Sequence, residues 1–287
     1  MKSGPFLLLT IWLLLGAIPA ASTQLPPKAG EAYEVTLTKD WVEQSSDGSS
    51  QGSSHDQDSV VERVLTVGPE GVRFEYDLPA DASADEKRSQ WQFPVRVLKT
   101  SDGQLKLLNA SELETRIDRW LKAAGWTRSI CGHWIFTWNG FKIECDPQSA
   151  LKLVEAFDLT SVELREGALY REANALEPGK LIRNALRDGD RFSTELQVDP
   201  SAIRRARAET DVAIGEVTNK PVTFDAALSK HANDVVTGTI SVTFETNRAG
   251  SPLRRTKVIK LFSKEADGRS KTETTTELLE RRPVRVR

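Results

Sequence analysis

The stretch Val72-Arg-Phe-Glu-Tyr-Asp-Leu78 decides the fold. Val72, Phe74, Tyr76 and Leu78 alternate with Arg73, Glu75 and Asp77, and a period of two puts the apolar set on one face of a β-strand and the charged set on the other. The same alternation recurs on both sides. Upstream, Tyr33, Val35 and Leu37 alternate with Glu34, Thr36 and Thr38, and Val60 to Val67 reads as a strand closed by the turn Gly68-Pro-Glu-Gly71. Downstream, Trp91, Phe93, Val95 and Val97 share a face, and Asp102-Gly103 turns into Leu105 and Leu107. Near the end of the chain, Ile240, Val242 and Phe244 alternate with Thr and Ser, followed by Val258 to Phe262 and a Thr-rich strand from Lys271 to Leu279. Polar residues on both faces of that last strand predict an edge position.

Helical patterning is confined to the middle. Ser111-Glu-Leu-Glu114 reads as a capping box before the apolar stripe Leu113, Ile117, Trp120, Leu121 and Ala124, with Gly125 as the C-terminal cap. Asp146-Pro147 and Asp199-Pro200 open two more helices, the first with Leu151, Val154 and Phe157 inward and the second near residues 200 to 214. Both follow an alternating run, Phe-Lys-Ile-Glu-Cys-Asp-Pro and Thr-Glu-Leu-Gln-Val-Asp-Pro, a weak signal of two related strand-to-helix units. The expected fold class is therefore α+β: a large curved antiparallel β-sheet, open or barrel-like, with two or three helices from the middle of the chain packed on it.

Lys2 precedes an apolar run from Phe6 to Ile18, and Pro19-Ala-Ala-Ser22 follows. Residues 1–22 read as a secretory signal peptide, leaving 23–287 as a single exported β-rich domain with no transmembrane segment. Such a protein is periplasmic in a bacterium and secreted otherwise. Residues 43–58, rich in Ser, Gly, Asp and Gln, bury too little apolar surface to offset their ordering entropy and predict a mobile polar loop.

The only two cysteines, Cys131 and Cys145, bracket a hairpin signal. Asn139-Gly140 suits a two-residue type I′ turn, which would set Cys145 opposite Trp134 and leave Cys131 beyond the paired region. A bridge then needs a bend near Gly132. In an oxidising compartment two cysteines are more often paired than free.

The chain carries no Gly-x-Ser-x-Gly, phosphate loop, dinucleotide fingerprint or His-Glu-x-x-His, and nothing in it asks for a cofactor. Ser149-Ala-Leu-Lys152 matches Ser-x-x-Lys at a helix start, the place of an activated serine, but its partner motifs are absent and so short a pattern recurs by chance. His55, His133 and His231 share no ligand spacing, and satisfied surface histidines are the commoner case. A formal charge of -2 supplies no electrostatic reason for a nucleic-acid partner. The C-terminal Arg281-Arg-Pro-Val-Arg-Val-Arg287 reads as a solvated basic tail.

Aromatics are the more suggestive feature. Trp120, Trp126, Trp134 and Trp138 fall within 19 residues, and Trp134, Phe136 and Trp138 project from one strand face. Core packing is the bland explanation. A platform or cavity for an apolar ligand, formed by Trp91, Phe93, Trp134, Phe136 and Trp138, is the functional one. The expected architecture resembles, in outline and without a shared motif, periplasmic lipoprotein-carrier and lipid-binding folds. The reading is an exported envelope protein, non-enzymatic, that binds an apolar or amphipathic molecule inside the curved sheet. Its competitors are a structural or protein-interaction module of the cell envelope and a hydrolase using Ser149 and Lys152.

Overall fold

The structure, a computed structural model, describes residues 27–48, 50–136, 140–265 and 268–284, so the expected signal peptide lies outside the described residues. In chain order the elements are β1 (Ala32–Ser45), β2 (Gln51–Gly68), β3 (Gly71–Asp77), α1 (Ala84–Ser89), β4 (Val95–Thr100), β5 (Leu105–Leu107) and α2 (Ala110–Ala123). Then come β6 (Trp134–Phe136), β7 (Gly140–Lys142), α3 (Ser149–Phe157), β8 (Leu169–Tyr170), β9 (Gly179–Lys180), β10 (Ile182–Leu186) and β11 (Gly189–Gln197). The chain finishes with α4 (Pro200–Val217), α5 (Phe224–Lys230), β12 (Val235–Thr246), β13 (Pro252–Lys264) and β14 (Ser270–Pro283).

Ten strands form one open antiparallel sheet in the order β10-β11-β12-β13-β14-β1-β2-β3-β4-β5, and β6-β7 and β8-β9 are separate two-stranded ribbons. The α+β class with a large curved sheet is thus observed, with α1 and α5 added to the helices that the sequence signalled. Two clusters of buried apolar side chains sit on the sheet. One joins Val35, Val60, Phe74 and Val97 to Leu113 and Ile117 of α2 and Val154 of α3. The other joins Phe192, Leu196, Ile240, Val242 and Phe244 to Ile203 of α4.

Several expectations are corrected. Residues 43–58 are not a loop: β1 and β2 stay paired out to Gln44 opposite Gln51. β1 is flanked by β14 as well as β2, so its backbone groups are satisfied on both sides and apolar side chains are not required to hold it. Polar contacts complete the ribbon, with His55 Nδ1 2.6 Å from Asp40 Oδ1 and Lys271 Nζ 2.8 Å from Glu43 Oε2. Trp41 lies flat over Gly52, where a Cβ would come within 2.8 Å of the indole.

β14 is not an edge strand but lies between β13 and β1. Its carboxylates pair with neighbouring cations: Glu273 with Lys271, Glu277 with Lys257 and Glu280 with Arg254. The true edges are β5 and β10, each too short to stand out in the sequence. The capping box belongs to α1, where Ser83 and Glu86 bond reciprocally, rather than to Ser111-Glu114. Asn109 precedes α2 and uses its side chain on the Arg96 N–H at 2.9 Å.

Arg281, read as part of a solvated tail, is buried. Its guanidinium crosses β1 above the Tyr33 ring, 3.3 Å from the centroid, and places Nε and Nη2 3.1 and 2.7 Å from Glu62 Oε1 on β2. Tyr76 on β3 donates to the other carboxylate oxygen at 3.1 Å. One row of side chains therefore spans four adjacent strands and fastens the last strand to the first three.

All three tyrosines of the chain are pushed above their ordinary ionisation range, in each case mainly by burial: Tyr33, Tyr76 beside Glu62, and Tyr170 beside Glu172. Because the folded values exceed the unfolded value of about 10, their contribution to stability is complete below that pH and is lost as pH rises through and beyond it. In an alkaline titration the phenolate absorbance is expected to stay flat past pH ~10 and then rise together with unfolding. Independent ionisation near the ordinary value with the fold intact would contradict the burial of these rings.

Candidate functional site

Helix α4 begins with an Asp-Pro signature. Asp199 Oδ1 accepts from the Ser201 N–H and hydroxyl at 2.8 and 2.7 Å, bonds that hold its carboxyl below the usual range, while Pro200 occupies the first turn. One face of the helix is fixed. Ile203 joins the core, Arg204 donates to the Asp234 carbonyl, and Arg207 reaches Ser263 Oγ at 2.9 Å and Glu273 Oε1 at 3.3 Å. After Gly215 the chain reverses into α5, whose end is tied back by Lys230 and His231 to Asp211, at 2.7 and 3.1 Å.

Toward its C-terminal half α4 lines an open groove. Ala206, Ala213, Ile214 and Val217 line this groove of about 840 Å³. Glu209, Thr210 and Thr218 also line it, and Trp134 is the lining residue that does not belong to α4 or its C-cap. Ile214 is 54% exposed, an aliphatic side chain on a rigid helix without a covering partner among the described residues. The volume and the apolar walls match those of a small-molecule site.

Trp134 is positioned by the hairpin. β6 and β7 pair with Trp134 opposite Lys142, and the ladder continues through Gly132 and His133 bonding to Ile143. This register differs by three residues from the expected one. It brings Cys131 and Cys145 to a Cα separation of 5.6 Å, joined in a disulfide, and the chain bends at Gly132, whose φ is 85°, as the bridge was expected to need. The turn residues that would show the reason for the shift, 137–139, lie outside the described residues. At the base of the hairpin, Glu216 Oε1 of α4 lies 2.8 Å from His133 Nδ1 and accepts the Trp134 N–H at 3.3 Å. The His133 contact, first among several, holds the Glu216 carboxyl below the usual range.

Of the five aromatics nominated from sequence, Trp134 alone is placed on the groove. Trp91 and Phe93 are 4% and 8% exposed and belong to the core around α2 and α3. The side chain of Phe136 and the whole of Trp138 lie outside the described residues. Trp120 and Trp126 pack on each other, T-shaped, at 5.7 Å. On the central sheet Lys257 sits between Glu277 at 2.7 Å and Glu172 at 3.5 Å.

Ser149 donates its hydroxyl to the Asp146 carbonyl at 2.7 Å, while Lys152 is exposed on α3. The hydroxyl thus serves the helix start, and no hydrogen bond joins it to Lys152 among the described residues. Each histidine contacts carboxylate: His55 with Asp40, His133 with Glu216, and His231 with both Asp211 and Asp234. The α4 side of the groove was missed in the sequence because its Ala-rich stripe is weakly apolar. The available signal was that α4 carries apolar residues on two faces, which implies two partners.

No family model matches the chain, and no curated protein matches it in sequence. Among solved structures it is similar to lipovitellin, in a structure of lipid-protein interactions, at 7% identity and a TM-score of 0.39 over 88% of this chain. The chain spans 25% of lipovitellin's length. It is also similar to an outer membrane channel from Pseudomonas putida F1, at 7% identity and a TM-score of 0.22 over 93% of this chain and 100% of that one. Likenesses this slight carry no argument about function. No helix among the described residues is long and apolar enough to cross a membrane.

Proposed function

We propose that this protein is an exported, non-enzymatic binder of an apolar or amphipathic molecule, held in the groove between α4 and Trp134 rather than inside the curved sheet. The observation that carries this reading is the groove itself: about 840 Å³, walled by Ala213, Ile214, Val217 and an indole on elements that are fixed from behind. The disulfide that anchors the Trp134 hairpin agrees with an oxidising compartment, periplasmic in a bacterium and extracellular otherwise.

Native mass spectrometry of protein taken from its own source tests whether a small molecule travels with it, and binding of the neutral probe N-phenyl-1-naphthylamine tests the place. Trp134→Ala removes one wall and is expected to weaken the probe about tenfold, while Ala213→Trp fills the groove and abolishes binding. Unchanged affinity in both variants would remove the groove from consideration.

A second reading, a protein-interaction module of the envelope, draws on edge strand β10, where Ile182 and Leu186 are exposed. That edge is partly occupied, since the Arg183 N–H is bonded to the Glu166 carboxylate. A co-purifying protein in place of a small-molecule mass would favour this alternative.

A further inference from the structure

On the reading that the α4 groove is the ligand site, we propose that it selects amphiphiles with a cationic, N–H-donating head group over those with an anionic head, with Glu209 as the counter-charge. Among the described residues the groove lining holds no Lys, Arg or His, and Glu209 is its sole ionisable residue. Glu209 is exposed and makes no ion pair or hydrogen bond among the described residues. Three nearby cations have partners of their own: Arg205 lies over the Phe224 ring, His133 contacts Glu216, and Lys142 faces Glu144 at 3.8 Å.

The hydroxyls point the same way. Thr210 donates to the Ala206 carbonyl at 3.0 Å and Thr218 to the Ile214 carbonyl at 2.7 Å, so each presents only lone pairs to the groove. With both hydroxyl protons used, the Trp134 indole N–H is the remaining side-chain donor among the described lining residues. An ammonium head has three donors and a charge for these acceptors, whereas a carboxylate or phosphate head meets like charge and oxygen lone pairs. From Glu209 to Val217 the lining extends about 12 Å along the helix axis at 1.5 Å per residue, with Ala213 and Ile214 between, a length of apolar wall for the alkyl tail.

Calorimetric titration of the full mature protein with dodecylammonium, dodecanoate and neutral dodecanol, each below its micelle concentration, separates the questions. Dodecylammonium is expected to bind about tenfold more tightly than dodecanoate at low salt, with the gap narrowing as salt rises. Glu209→Gln is expected to bring the two within about twofold of each other while leaving dodecanol unchanged. Equal affinities in the unaltered protein, or a preference that survives Glu209→Gln, overturns the assignment to Glu209 and leaves the groove as the site. If dodecanol and both charged amphiphiles fail to bind, the groove itself is not a ligand site and the head-group preference falls with it.

Discussion

Arg281→Met is expected to destabilise the protein by about 3–5 kcal/mol, because it strips the only cation from a carboxylate sealed beneath the sheet's first core. Glu62 is 1% exposed and Arg281 6%, so neither can recover its lost hydration by turning outward. The guanidinium also covers the Tyr33 ring, and its loss opens space between β14 and β1 in addition to leaving the charge. Glu62→Leu alone strands the guanidinium and should cost a similar amount. The double variant, with both charges gone, should recover most of the loss, since an apolar pair of matching volume avoids the desolvation of two ions.

Urea denaturation of the four proteins measures the cycle. Additive losses in the double variant would mean that the two side chains do not act on each other and that the row across the four strands is packing alone. The same data report how the chain closes. β14 pairs with β1 across nearly the whole sequence, from Tyr33 opposite Pro283 to Ser45 opposite Lys271, and Arg281 sits at the end of that ladder where fraying would begin. Weakening it should raise amide exchange in β1 and β14 before exchange rises in β12.

Removing the disulfide is expected to have the next largest effect. The bridge closes a loop of about 15 residues, for which the chain-entropy account gives about 3 kcal/mol. Its consequence should also reach the groove. The hairpin meets α4 through Trp134 and the half-exposed His133–Glu216 contact, a pair that solvent screens and that contributes little by itself. Without the covalent anchor, Trp134 is no longer held against the α4 stripe. Cys131→Ser with Cys145→Ser should therefore lower the melting temperature and weaken N-phenyl-1-naphthylamine binding, and reduction of the unaltered protein should do the same. Loss of stability with intact probe binding would show that the Trp134 wall stands without the bridge; no loss of either would show that the hairpin ladder suffices.

The distribution of effects follows from what local sequence encodes. Alternation in Val72–Leu78 and Thr239–Glu245, the Asp-Pro helix starts, and the pairing of the two cysteines are properties of short segments, and each was legible without a partner in view. A period of two specifies that a residue faces inward or outward, but not what lies across from it. Glu62 and Arg281 thus look in sequence like ordinary strand and tail charges, and only the adjacency of β14, β1 and β2, separated by over two hundred residues of chain, makes them a buried pair. The ribbon at residues 43–58 was read as a loop for the same reason: its stability resides in neighbouring backbones, not in its own side chains.

The site divides along the same line. Trp134 stands out as an aromatic beside a cysteine, whereas Ala206, Ala213 and Val217 become a wall only when α4 is docked on the sheet and the hairpin is set against its C-terminal half. By itself the sequence determined the element types, the antiparallel class and the covalent bridge, because these depend on spacing within a few turns of chain. Tertiary structure decided which strands meet, which charges are buried and where the groove opens, because those depend on contacts between segments whose local patterns carry no mark of one another.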